Sequence, residues 1–292
     1  MDVGIALPTQ VPGLTTEVFL EWARRVDDSP FAILGTSERV VYDGWEPLAA
    51  LAAAAALTKR VKLMTHILMS PLRNTGILVK QVTTIDAISN GRLMLGVGVG
   101  SREDDFRAAP ADLLRGRGKR MEDQVAAMRR HWAGEPITEG VSVMGPKPGR
   151  AGGPPILMGG RTPNPLRRAG EIADGYIAGT GNSPQQMLEY FSHVESAWKD
   201  AGRSGRPLMA AINYYALGDA ADVERGVDDV RTYYSFMGPN RERVAGATLT
   251  SPEAIRDSIR GYRDIGMDDY VLMPTIPSLE QFDRLAEVVA GI

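Results

Sequence analysis

The chain has 292 residues, 43% hydrophobic and 24% charged, the balance of a globular protein with a sizeable core. A formal net charge of −3 gives no electrostatic case for nucleic acid or an acidic membrane surface. The absence of cysteine excludes disulfides, thiolate catalysis and Cys-ligated metals.

The opening MDVGIALPTQ has neither the basic segment nor the long apolar segment of a signal peptide. Residues 2–8 read as a strand. A helix is expected over 17–27, capped by Thr15 or Thr16. A strand over 31–37 precedes an alanine-rich helix over 47–57, with proline in its first turn and too short to span a bilayer. A strand over 61–69 follows, then a helix over 75–89 closed by Asn90-Gly91, then a strand over 92–100. A charged loop over 101–118 leads to a helix over 119–132. A Gly- and Pro-rich loop over 134–153 precedes a strand over 155–160. A helix over 164–173, a strand over 175–180, a helix over 184–201 and a strand over 208–217 come next. Helices over 221–237 and 252–266, a strand over 269–273 and a helix over 278–290 complete the chain.

Eight strands alternating with helices imply a parallel sheet with crossover helices. The length fits an α/β fold, a (β/α)8 TIM barrel spanning residues 1–292 as one domain; an open doubly wound sheet is the alternative. The expected class is a cytoplasmic enzyme. In a barrel the reacting groups stand at the C-terminal ends of the strands. That directs attention to residues 8–9, 36–39, 65–67, 98–102, 159–162, 180–182, 213–215 and 273–275.

Two glycine clusters fall there. Gly96-Val97-Gly98-Val99-Gly100 has the spacing G-x-G-x-G, not the G-x-G-x-x-G of a dinucleotide loop. Alternate strand residues share a face, so these glycines leave one side empty. Either a flat ligand approaches the backbone there, or crowding at a barrel corner is relieved. Gly159-Gly160-Arg161-Thr162 lies between a strand and a helix. Free N–H groups at such a turn, with an arginine beside them, suit an anion. A plain tight turn with a threonine cap is the other reading.

The stretch LMSPLRNTGILVKQVTTIDAISNGRLMLGVGVGSREDDF resembles the signature region of the bacterial luciferase-like monooxygenase superfamily. Pro71, Arg73, Thr84, Asp86, Ser89, Gly91, Arg92, Gly96, Gly98, Gly100 and Phe106 carry the likeness. PPILMGGRTPNPLRRAGEIADGY is similar to that family's later strand-turn-helix. The resemblance implies a (β/α)8 barrel that holds reduced FMN and activates O2, or uses the deazaflavin coenzyme F-420 for hydride transfer. It places the cofactor phosphate on the turn of Gly159, Gly160, Arg161 and Thr162, helped by Ser101 after the fourth strand. The flavin would lie across the mouth against Pro8, Thr65, His66, Ile67, Gly98 and Gly100, with the β4 glycines clearing its floor. It also implies a non-proline cis peptide at His66–Ile67, where relatives usually have glycine in place of the histidine.

Where luciferase has Glu-His-His after the second strand, and several deazaflavin enzymes have Asp-His, this chain has Ser37-Glu38-Arg39. The candidate catalytic residues are therefore Glu38, Arg39 and His66. Glu38 is a general base if burial raises its pKa, Arg39 binds an anionic substrate or ring edge, and the alternative is a salt-bridged pair at the rim. His66 is a titratable imidazole at the mouth or a satisfied wall residue. One of Tyr214 and Tyr215 stacks on substrate or flavin and the other belongs to the core. His131 and His193 fall on outer helices, and no residue spacing suggests a metal. Substrate specificity is expected in residues 40–45, 101–118 and 233–250. The expected partners are a small organic substrate, O2, a separate flavin reductase, and a second copy in a homodimer formed through residues 47–57 and 75–88. A non-catalytic flavin-binding protein is the remaining alternative.

Overall fold

The computed structural model describes residues 1–109 and 115–292; residues 110–114 of the expected charged loop lie outside the described residues. Eight parallel strands pair in sequence order: β1 (Asp2–Ala6), β2 (Ile33–Thr36), β3 (Lys62–Met69), β4 (Leu93–Gly98), β5 (Ile156–Gly159), β6 (Gly175–Ala178), β7 (Leu208–Tyr215) and β8 (Asp269–Pro274). Pairing of β1 with β8, from Asp2 opposite Asp269 to Ile5 opposite Leu272, closes the barrel and removes the open-sheet alternative. The strands read as continuous apolar runs because both faces are covered. One face packs Ile33, Met64, Met94, Leu157, Ile177 and Val271 into the barrel interior. The other meets the helices, around Leu34, Leu51, Leu63, Val82 and Leu272.

The helical layer contains α1 (Thr16–Arg25), α2 (Pro47–Leu57), α3 (Thr75–Ile88), α4 (Glu103–Arg107), α5 (Arg117–Trp132), α6 (Pro163–Ile172), α7 (Pro184–Asp200), α8 (Ala220–Tyr233), α9 (Arg241–Ala245), α10 (Pro252–Asp264) and α11 (Leu279–Ala290). Local chemistry sets several ends. Thr15 accepts from Val18 N, and Ser183 with Gln186 forms a capping box. Asn90 and Gly91 take φ of 55° and 78° after α3. The short α4 and α9 were not expected, since five residues are too few for a 3.6-residue period to show. The expected helix over 221–237 stops at Tyr233, and a 3-10 turn covers Ser235–Asn240.

Much of the signature region builds the fold. Arg92 donates to Ser89 O, Val61 O, Ala55 O and Thr58 O, tying the start of β4 to α2 and β3. Asp86, fully buried, accepts from the backbone N–H of Gly149 at 2.8 Å and of Arg150 at 3.3 Å. These contacts hold the 134–153 loop against the barrel, away from the mouth.

Candidate active site

A cavity of about 420 Å3 opens at the C-terminal mouth. Glu38, Arg39, His66, Ile67, Gly100, Ser101, Gly159, Gly160 and Arg161 all stand in its wall. Pro8, Thr65, Gly98 and Thr162 do not. Thr65 is buried and donates to Gly96 O at 2.7 Å. Thr162 is the exposed N-cap residue of α6 and makes no side-chain cap bond.

Of the two readings of the β4 glycines, the geometry at Gly96 and Gly98 matches the relief of crowding. The ladder between β3 and β4 shifts register between Thr65 and Leu68, and the His66–Ile67 peptide is cis. The resulting bulge leans onto β4. A Cβ on Gly96 would lie 2.0 Å from Thr65 O, and one on Gly98 would lie 1.9 Å from Ile67 Cδ1. The room these two glycines leave is filled by the chain's own third strand. Gly100 has φ 69° and faces Met69 and Phe106, so its backbone conformation requires glycine.

Glu38 and Arg39 diverge. Glu38 turns inward: Arg73 Nη2 donates to it at 2.6 Å and Met69 N at 2.5 Å. Arg73 also bridges Glu46. Burial pushes the Glu38 carboxyl above its ordinary value, against the pull of Arg73 and the Met69 N–H. Both of its oxygens are engaged, so Glu38 ties the end of β2 to the end of β3. The alternative of a rim pair between Glu38 and Arg39 gives way to an inner pair of Glu38 with Arg73.

Arg39 turns the other way and is 8% exposed. It donates to Tyr233 O at 2.9 Å and Val41 O at 3.3 Å. Its guanidinium carbon lies 4.0 Å from the Tyr42 ring centroid and 4.6 Å from that of Tyr233. Burial lowers its pKa, and the nearby Arg102 lowers it further. Arg102 pairs with Asp104 and stacks on Phe236. Asp105, fully buried, accepts from Val40 N and Val41 N at 2.9 and 2.8 Å. The loops after β2 and β4 and the end of α8 thus meet over the cavity.

His66 is 3% exposed and lines the cavity from β3. Gly35 lets it in: a Cβ there would lie 2.5 Å from the imidazole. The ring therefore rests over the second strand. Neither ring nitrogen has a hydrogen-bond partner. Burial lowers its pKa to about 4, so the imidazole is neutral at physiological pH.

At the opposite side, Gly160 has φ 149°, and a Cβ there would lie 2.2 Å from Pro165 Cβ. Arg161 is exposed and donates to Thr180 O. The donor set is narrower than the turn suggests, because Pro163 and Pro165 remove two N–H groups from the first turn of α6. The groups left are the N–H of Gly160, Arg161, Thr162 and Asn164, with the Arg161 guanidinium. They fit a phosphate, and the adjoining cavity fits a flat ring.

Tyr214 lines the cavity, whereas Tyr215 is buried outside the barrel and donates to Gln281 O. His131 is buried within α5, and burial lowers its pKa. Arg102 falls in the strand-end segment 98–102, and Tyr233, Tyr234, Phe236 and Met237 in the segment 233–250, but none of them is singled out individually by the sequence reading. The aromatic run YYSFM, which starts at the last residue of α8, is the signal that marks the latter four.

Barrel, bulge and mouth cavity define a (β/α)8 fold with a ligand-sized site at its C-terminal mouth. The chain belongs to the luciferase-like monooxygenase family, whose model matches residues 1–269, and that family is one of oxidoreductases. It is similar to the F420-dependent glucose-6-phosphate dehydrogenase of Nakamurella multipartita, 29% identical over 207 residues, which are 67% of this chain and 60% of that one. It is also similar to the oxygenase component of the flavin-dependent trigonelline monooxygenase of Acinetobacter baylyi, 22% identical over 77% of this chain and 72% of that one. The fold matches monooxygenase RslO1 from Streptomyces bottropensis at a TM-score of 0.74 and 23% identity, covering 99% and 97% of the two chains.

Proposed function

We propose that the protein is a flavin-dependent monooxygenase, a single barrel domain that takes reduced FMN from a separate reductase and uses O2 to oxidise a small organic substrate. The observation that carries this reading is the state of the two proton-handling groups at the mouth. Dehydrogenating an alcohol by hydride transfer calls for a base that accepts the hydroxyl proton. Glu38 is engaged by Arg73 and Met69 N, and His66, with a pKa of about 4, is a weak base. Oxygenation asks instead for positioning and exclusion of water.

Reduced FMN, when bound, supplies the electrons that activate O2. Gly160, Arg161 and Ser101 hold its phosphate, and Ile67 supports its ring. Tyr214, Tyr233, Tyr234 and Phe236 keep water from the reacting face. His66, neutral, offers one ring nitrogen as a donor and the other as an acceptor toward bound ligands. The protein works as a homodimer through α2 and α3, where Ile77 and Ile88 are 59% and 50% exposed. Light scattering at micromolar concentration should give twice the monomer mass.

The test supplies the protein with reduced FMN or with reduced coenzyme F420. Oxygen uptake above the free-flavin rate with FMN is the expected result. Hydride transfer from F420 with no oxygen uptake would replace this reading by the deazaflavin one, and tight flavin binding with neither activity by a flavin-binding protein.

A further inference from the structure

We propose that the substrate at this mouth is a small carboxylate on a flat apolar body, held by the charge of Arg39, a guanidinium that no carboxylate of the described residues contacts. The proposal rests on the flavin-site reading above and names the substrate class of that same site. It is carried by the state of the carboxylates around Arg39. Glu38, its chain neighbour, is paired with Arg73. Asp104 is paired with Arg102. Asp105 holds the backbone N–H groups of Val40 and Val41, and its other oxygen lies 3.4 Å from Arg102 Nε. Among the described residues, no carboxylate lies within 4.0 Å of Arg39.

Arg39 is nonetheless buried, and its partners are two carbonyls and two tyrosine rings. These hold a guanidinium in place and soften its desolvation, but they leave its full charge at the cavity wall. A buried charge of this kind favours an anion beside it, and more strongly as water is excluded. Arg161, the other cavity-lining cation without a carboxylate partner among the described residues, stands at the phosphate end. One cationic end then serves the cofactor and the other the substrate. The walls between, Tyr214, Tyr234 and Phe236, suit the flat apolar body of an aromatic acid.

Calorimetric titration at pH 7.5, on the protein with and without FMN, compares benzoate with benzamide and phenylacetate with phenylacetamide. Each acid should bind at least tenfold tighter than its amide. Arg39→Lys should keep that preference, and Arg39→Met should erase it. Equal affinity for acid and amide, a preference that survives Arg39→Met, or no binding of either member overturns the proposal. So does exclusion of benzoate by FMN or by inorganic phosphate, which would assign the Arg39 charge to the cofactor. FMN affinity is read separately by quenching of its fluorescence. Loss of FMN binding with the acid preference intact sinks the cofactor reading alone. FMN binding with no acid preference sinks the carboxylate alone.

Discussion

Two strand ends at the mouth carry paired glycines, and their surroundings differ. On β4, a Cβ at Gly96 would sit 2.0 Å from the backbone oxygen of Thr65, and one at Gly98 1.9 Å from the tip of Ile67. On β5, a Cβ at Gly159 would meet Ile67 Cγ2 at 3.3 Å and Ile177 O at 3.4 Å, close to ordinary van der Waals contact. The first pair is required by the chain's own bulge. Of the second pair, Gly160 is likewise held to glycine, with φ 149° and Pro165 Cβ 2.2 Å from an added Cβ, whereas at Gly159 the neighbours need give by only a few tenths of an ångström. Absence of a side chain therefore has two meanings at one barrel mouth, and only the neighbouring strand tells them apart. At these glycines the half of the mouth built by β3 and β4 is packed on itself, and the half built by β5 is open at Gly159 alone.

The largest effect should come from Gly96→Ala. The atom it meets is backbone in a closed sheet and cannot rotate away, so about 4 kcal/mol of stability should be lost in urea unfolding, at the upper end for a single substitution. A loss below about 1 kcal/mol would mean that the β3 bulge is not packed on β4 as described.

Next comes a pH effect from the same packed half. His66 has a folded-state pKa of about 4 against an ordinary 6.5. Between those values the unfolded chain binds a proton that the folded chain refuses, so stability is full above pH 6.5 and falls as pH drops toward 4. The whole shift corresponds to ~3 kcal/mol, roughly 2 of it gone by pH 5. His66→Phe should unfold with a smaller difference between pH 7 and pH 5. An identical difference in both proteins would show that the imidazole is not buried as a neutral group.

Gly98→Ala should cost about 2 kcal/mol, less than Gly96→Ala because the clash is with a side-chain tip. Ile67→Val removes that tip. The double variant should recover most of the loss, a coupling that a double-mutant cycle measures directly.

The barrel was legible in the sequence because alternating strands and helices leave few topologies open, and because caps such as Thr15, Ser183 and Asn90-Gly91 mark element ends through short-range chemistry. The mouth positions followed from that topology. What the side chains do there was less legible. Glu38 and Arg39 are neighbours in sequence and point to different partners, because Arg73 reaches back from the end of β3 and Tyr233 reaches over from α8. No local pattern encodes either approach. The glycine run on β4 was open to two readings for the same reason, since the bulge that fills it belongs to another strand. Pro163 and Pro165 were visible in the sequence, and their effect on the donor set at α6 follows once the helix start is fixed.

The smallest expected effect on stability, and the sharpest test of the contrast, is Gly159→Ala. Gly159 lies at the end of β5 without a positive φ, and the nearest atoms to an added Cβ stand at 3.3 and 3.4 Å. The fold should absorb the methyl with a loss under about 1 kcal/mol. The same methyl would project at the cavity wall, where the flavin reading puts a flat ring and its phosphate arm against bare backbone. FMN affinity should then fall at least tenfold, ~1.4 kcal/mol, while urea unfolding of the flavin-free protein barely changes. Gly96→Ala should show the reverse balance, a large loss of stability with any loss of FMN explained by unfolding. If Gly159→Ala binds FMN as tightly as the parent chain, the open half of the mouth is not where the cofactor sits. The space beside Arg161 would then have to be assigned to the substrate instead.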